Sequence, residues 1–201
     1  GTFSTQLPLQ TPTVEPGGFI PTQAAIQVPE VLTNEEAVLV NLYAQVNPSV
    51  VNINVYIEQG QAVVSAGQGS GFVYDVDGHI VTNAHVVHGS SRIEVIFPDG
   101  TTLRAEPTGE DLYSDLAVLR VDSLPAGTQP LRMADMSSVA VGQTVVAIGN
   151  PFGLGGSMTR GIISALGRTI PALVTSFSIP QAIQTDAPIN PGNSGGPLLN
   201  L

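Results

Sequence analysis

The spacing of apolar residues changes once along the chain, at Asn47-Pro48, and that change restricts the folds open to it. Ahead of it, Thr33-Asn34-Glu35-Glu36 has the form of a capping box, and Val38, Leu39, Leu42, Tyr43 and Val46 recur at helical spacing until the proline stops the run. Beyond it, Val50 to Ile57 alternates as a strand does. Further strands are expected from Phe72, from Ser91 to Phe97 and Thr101 to Ala105 as a hairpin about Asp99-Gly100, and from Asp115 to Val121. A second set follows at Gln143 to Ile148, Met158 to Leu166 and Gln181 to Thr185, with Glu58 to Gln68 and Arg168 to Ser178 read as connecting loops. Short β-branched runs punctuated by 22 Gly and 16 Pro point to an all-β barrel or sandwich carrying one short helix. Pro125, Gly127 and Pro130 mark a boundary near residues 122 to 130, dividing a helix at 33–48 and a first set of strands at 49–124 from a second set at 125–201. Residues 1–32, with five prolines and no sustained period, read as an extended tail or tether.

Charge and residue usage narrow the chemistry. Sixteen acids against six bases leave no cationic surface for phosphates, so a nucleic-acid partner is not expected. All the bases are Arg, and the chain has neither Lys nor Cys. A Ser/Lys dyad, Schiff-base chemistry, a P-loop lysine, a Cys nucleophile and Cys-ligated zinc are thereby excluded. No cofactor and no metal is expected.

One stretch asks for catalytic machinery. Asn190-Pro191-Gly192-Asn193-Ser194-Gly195-Gly196-Pro197 holds a serine among glycines and prolines, a setting suited to a strained turn that exposes backbone. If Ser194 is a nucleophile, its base must be a histidine, and all three histidines lie between residues 79 and 88. A metal site, a buried structural role and a general base at His85 all remain open for them on sequence geometry. Asp115 opens an apolar strand and sits at the margin of a core, where a carboxylate needs a partner; a surface acid is the alternative. Two other motifs are imitations. Gly67-Gln68-Gly69-Ser70-Gly71 leads into a strand rather than the helix a dinucleotide loop requires, and Asp75-Val76-Asp77-Gly78 lacks the later ligands of a calcium loop.

Thr82-Asn83-Ala84-His85-Val86-Val87, Asp115-Leu116-Ala117-Val118-Leu119 and the run from Gln184 to Asn200, in that order, resemble the HtrA (DegP-like) branch of trypsin-like serine proteases. Gly149-Asn150-Pro151-Phe152-Gly153 and Pro48-Ser49-Val50-Val51 carry the resemblance further, over about residues 34 to 201. It implies two β-barrels with His85 and Asp115 on the first and Ser194 on the second, the second barrel being incomplete within this chain. It also implies a role for each residue: Ser194 as nucleophile, His85 as general base and acid, Asp115 as its orienter, and the Gly192 and Ser194 N–H groups, with Asn193 between them, as the oxyanion hole.

Two departures from digestive relatives sharpen this. Asn193 replaces the Asp that binds a freed amino terminus in zymogen-type enzymes, so control by loop rearrangement, at 149–157 and 168–178, is expected instead of activation by N-terminal cleavage. Pro188 and Ile189 stand where a trypsin-type enzyme has an acid, which implies an apolar specificity pocket for small or medium aliphatic side chains. The resemblance further implies unfolded polypeptide substrates, protein quality control, a homotrimer, a cell-envelope or periplasmic location with the tail as a tether, and a C-terminal remainder of the barrel with a PDZ domain outside this chain. A catalytically silent peptide-binding or chaperone-like module of the same fold is the competing function. An adhesion protein leaves the 192–196 turn without a purpose.

Overall fold

The structure is a computed structural model that describes residues 33–153 and 155–201. The expected tail at 1–32 lies outside the described residues. The first described element is helix α1 (Asn34–Val46), closed at its N-terminus by the reciprocal bonds of a capping box. Thr33 Oγ1 accepts from the Glu36 N–H at 3.3 Å, and the Glu36 carboxylate accepts from the Thr33 N–H at 2.8 Å. A single 3-10 turn containing Pro48 then hands the chain to strand β1 (Val50–Gln59).

Six strands close into a barrel: β1, β2 (Ala62–Val73), β3 (His79–Thr82), β4 (Arg92–Ile96), β5 (Thr102–Asp111) and β6 (Leu116–Arg120), in the order β1-β2-β3-β6-β5-β4. Its interior is filled by branched side chains one residue in two, among them Val51, Ile53, Val73, Ile80, Val95, Leu119 and Val121, with Phe97 as the largest. Closure leaves this sheet without edges, so its rim is a firm platform for short loops. The second set comprises β7 (Thr144–Gly149), β8 (Ser157–Pro171), β9 (Ser178–Thr185) and β10 (Leu198–Asn200), an open antiparallel sheet ordered β10-β7-β8-β9. Its β7 carries Val146 and Ile148, which pack with Val46 and Val50 and are covered by Leu39, Leu42 and Tyr43 of α1. The fold is therefore all-β, one barrel beside an open half-barrel.

Three connections differ from the sequence expectation. Glu58 to Gln68 is no loop: β1 and β2 run on as a hairpin that turns at Gly60 and pairs Gln59 with Ala62. Both faces of that hairpin's outer half are in solvent, so the alternation that announces a strand is missing there. Likewise β8 runs past Leu166 to Pro171 with exposed residues on both faces. A second helical piece, α2 (Ala84–Val87), is one turn long, too short to display a period of 3.6. None of the helices among the described residues is long and apolar enough to cross a membrane.

Candidate active site

The site is assembled at the rim of the closed barrel. β3 ends at Thr82, Asn83 turns the chain, and α2 presents His85. Opposite, β6 is entered through Asp115, a non-glycine residue in the left-handed region at φ 55°. That conformation is uncommon for an L residue and tolerated best by Asp and Asn. Residues 83–85 hold it there. The Asp115 carbonyl accepts from Ala84 N–H at 3.1 Å and Asn83 Nδ2 at 2.9 Å, while its carboxylate accepts from His85 N–H at 2.8 Å.

The other carboxylate oxygen lies 2.7 Å from His85 Nδ1. A carboxylate oxygen accepts, so Nδ1 is the donor of this pair, and the tautomer it selects leaves the lone pair on Nε2. The pair is largely buried, the side chains being 22% and 12% exposed for His85 and Asp115, which fixes the ring and keeps water from competing for Nδ1. The remaining histidines have the same chemistry in less protected places: His79 Nδ1 meets Asp75 at 2.6 Å, and His88 Nδ1 meets Glu110 at 2.6 Å. Among the described residues no cluster of His and acidic side chains has the form of a metal site.

Ser194 comes from the other sheet, on the turn that precedes β10, and this turn docks onto the barrel. Ser70 N–H on β2 donates to Ser194 O at 2.8 Å, and Gly195, at φ 85°, lies against Ser70 O, Thr82 Oγ1 and Asn83 N. A Cβ at Gly195 would stand 2.2 Å from two of those oxygens, so only glycine permits the approach. The serine is thereby brought to the strand end that launches α2, though no hydrogen bond joins it to His85 among the described residues.

Within the turn, Asn193 N–H donates to Asn190 O at 3.0 Å and Gly196 N–H to Asn193 O at 2.9 Å, whereas the Gly192 and Ser194 N–H groups have no protein acceptor among the described residues. Asn193 is buried against Gly149 with its Oδ1 3.4 Å from Ser157 Oγ, and its Nδ2 has no partner among the described residues. Pro188 and Ile189 are both exposed, Ile189 by 59%. A cavity of about 500 Å³ has walls that include Phe72, Leu116, Ile163 and, from the serine stretch, Gly196 and Pro197, and none of His85, Asp115, Ser194, Pro188 or Ile189 lines it.

Sequence reasoning passed over Ser70, Thr82 and Asn150, which tie these pieces together. Ser70 Oγ donates to Gly192 O at 2.6 Å and accepts from Asn150 N–H at 2.8 Å, and Thr82 Oγ1 donates to Ser70 O at 2.7 Å. A signal was present in the glycines at 69 and 71, since glycine inside a strand marks close approach of other backbone. At Gly69 a Cβ would meet Val86 at 2.7 Å and Ser194 O at 3.1 Å.

A closed six-stranded barrel beside an open antiparallel sheet, with a His–Asp pair on the first and a glycine-flanked serine on the second, is the architecture of trypsin-like two-barrel proteins. The chain belongs to the trypsin-like peptidase domain family, which it matches over residues 69–201, and within it to the HtrA, DegP-like branch. It is 45% identical over 181 residues to Protease Do-like 1, chloroplastic, of Arabidopsis thaliana, covering 87% of this chain and 41% of that protein. A DegP-like periplasmic serine endoprotease of Halomonas elongata is 51% identical over 143 residues, 71% of this chain and 29% of that one. The crystal structure of Deg5 superimposes with a TM-score of 0.71 at 40% identity, covering 84% of this chain and 82% of the other. The chain thus spans less than half the length of these two curated relatives.

Proposed function

We propose that this chain carries the catalytic machinery of a serine endopeptidase that hydrolyses peptide bonds of unfolded or damaged proteins. The observation that carries the reading is the two-point grip of Asp115 on His85, through the backbone N–H and Nδ1, on the same rim to which the Ser194 turn is bonded. His85 Nε2 takes the Ser194 hydroxyl proton as Oγ attacks the scissile carbonyl, and Asp115 stabilises the imidazolium that forms. The Gly192 and Ser194 N–H groups, without protein acceptors among the described residues, receive the oxyanion. The imidazolium then gives its proton to the leaving amine, and water attacks the acyl-enzyme by the same route in reverse.

Pro188 and Ile189, both exposed and apolar, are read as part of the specificity pocket, in keeping with small or medium aliphatic residues at the cleaved position. A trimer, a role in protein quality control and an extracytoplasmic compartment complete the proposal; the last is supported by bacterial relatives whose names describe them as periplasmic. Fluorophosphonate labelling with unfolded casein turnover tests the chemistry. Wild type should be labelled, and Ser194→Ala should lose labelling and about a million-fold in rate. Equal absence of label from both proteins would leave the silent peptide-binding module instead. Light scattering on the complete protein tests the trimer.

A further inference from the structure

We propose that Ser70 is a positioning residue that holds the Gly192–Ser194 turn in its oxyanion-binding shape through a neutral hydroxyl. The proposal rests on reading that turn as the oxyanion site.

Ser70 is completely buried, and its four hydrogen-bonding functions are all engaged. Two of them act on the turn. Its hydroxyl donates to Gly192 O at 2.6 Å, and its N–H donates to Ser194 O at 2.8 Å. Because a peptide unit is planar, fixing a carbonyl also fixes the N–H on the other side of that plane. The Gly192–Asn193 plane is therefore pinned at both ends, by Ser70 Oγ and by the Asn193 N–H bond to Asn190 O. The Ser194–Gly195 plane is pinned by the Ser70 N–H. Between them lies the plane that carries the Ser194 N–H, whose carbonyl is taken by Gly196 N–H at 2.9 Å. Rotation at Gly192, which sits at φ 93° and is free to turn, would break the bonds to Ser70 Oγ and to Asn190 O together.

The same hydroxyl reaches a third element. It accepts from Asn150 N–H at 2.8 Å, and Asn150 is itself fully buried, with Nδ2 donating to Val50 O. One oxygen thus links the closed barrel, the loop after β7 and the serine turn. No salt bridge reaches the turn among the described residues, and the Asn193 side chain keeps only a 3.4 Å contact with Ser157 while its Nδ2 is unpartnered. The hydroxyl of Ser70 is accordingly the strongest side-chain restraint on the turn. Its hydrogen bonds go to neither His85 nor Asp115, so its removal should change transition-state stabilisation without changing how the base titrates.

The experiment compares wild type, Ser70→Ala, Ser49→Ala and Ser194→Ala in the complete protein, using fluorophosphonate labelling, casein turnover and thermal unfolding. Ser49 is a buried serine whose hydroxyl bonds Gln129 O in another part of the fold, so its loss reports the cost of a buried hydroxyl alone. For Ser70→Ala, kcat should fall about tenfold to a hundredfold, less than for loss of an oxyanion donor itself, with KM within about threefold. The rate of phosphonylation should fall with kcat, and the pH midpoint of kcat/KM should stay in place. Ser49→Ala should lose comparable thermal stability and keep its kcat. A Ser70→Ala kcat within about twofold of wild type, or a loss matched by Ser49→Ala, would overturn the proposal, as would a shifted pH midpoint. Absence of wild-type labelling would instead remove the reading of the site on which it rests. If Ser70→Ala does not fold, Ser70→Cys, which keeps a weak donor at similar volume, carries the same comparison.

Discussion

Asp115 concentrates the demands of the site in one residue. Its backbone occupies the left-handed region, its carbonyl closes the turn at Asn83 and Ala84, and both carboxylate oxygens face His85. Replacing the carboxylate by an amide keeps the shape and removes the acceptor that dictates the tautomer. Asp115→Asn is therefore expected to fold and to lose about 10⁴-fold in kcat, because a side-chain N–H facing Nδ1 would drive the ring proton to Nε2 and leave no base for Ser194. Steady-state kinetics beside a thermal melt separate the two effects, and a wild-type rate would sink the triad reading. At this scale much of the candidate site was legible: the absence of Lys and Cys leaves His as the candidate base for Ser194, and the glycines around Ser194 announce the turn. Ser70 left only the hint of its flanking glycines, because its hydroxyl acts on backbone groups of residues 80 and 122 positions away, and a backbone N–H or carbonyl leaves no trace in residue type.

Among the elements, α1 has more to do than its short helical pattern suggests. Its apolar face covers β7, and its last turn reaches the hairpin end where β8 begins. Tyr43 Oη donates to Gly156 O at 2.6 Å, Gly156 N–H donates to Asn47 Oδ1 at 3.1 Å, and Glu35 pairs with Arg160 of β8. Gly149 and Ser157, paired across β7 and β8, are the residues against which Asn193 rests. Tyr43→Phe leaves the Gly156 carbonyl without its donor and should cost about 1–2 kcal/mol. For a domain of this size that is a fall of several degrees in Tm, about 2–4 °C per kcal/mol, with faster amide exchange at residues 155–157 than in the closed barrel. Unchanged exchange there would mean that α1 covers the sheet without fastening it. Elements whose residue types alternate were legible, as β4 is with one face buried and as β1 is although its first half is buried on both faces. The β1–β2 projection, the far end of β8 and α2 were not, since the first two bury neither face and the third has a single turn.

For the whole molecule, acidity sets two opposing responses to pH. Sixteen acids against six bases give a formal charge of −10 at pH 7, a self-repulsion that protonation relieves and salt screens. Against this stand carboxylates bonded in the folded state and held below their ordinary range. Glu36 is lowered by the Thr33 hydroxyl and N–H, Asp111 by the Ser114 hydroxyl and Tyr113 N–H, and Asp135 by Ser137. At Asp75, desolvation pushes the pKa up and is outweighed by bonds from the His79 N–H and ring and the Asp77 N–H. A lowered folded pKa means the ionised form is favoured by folding, so this stability is complete above the unfolded pKa of about 4 and disappears as pH falls through the lower folded values. Glu36, Asp111 and Asp135 are exposed and Asp75 is half-buried, so each contributes little. The repulsion therefore governs from pH 8 to about 5, and the lost bonds govern below about 4. In low salt, Tm should rise as pH drops towards 5 and then fall; in about 1 M salt, where the Debye length is about 3 Å, the rise should flatten and the fall remain. A Tm that kept rising below pH 4 at both ionic strengths would show that the caps and turns at Thr33, Asp75, Asp111 and Asp135 contribute nothing measurable to the folded state.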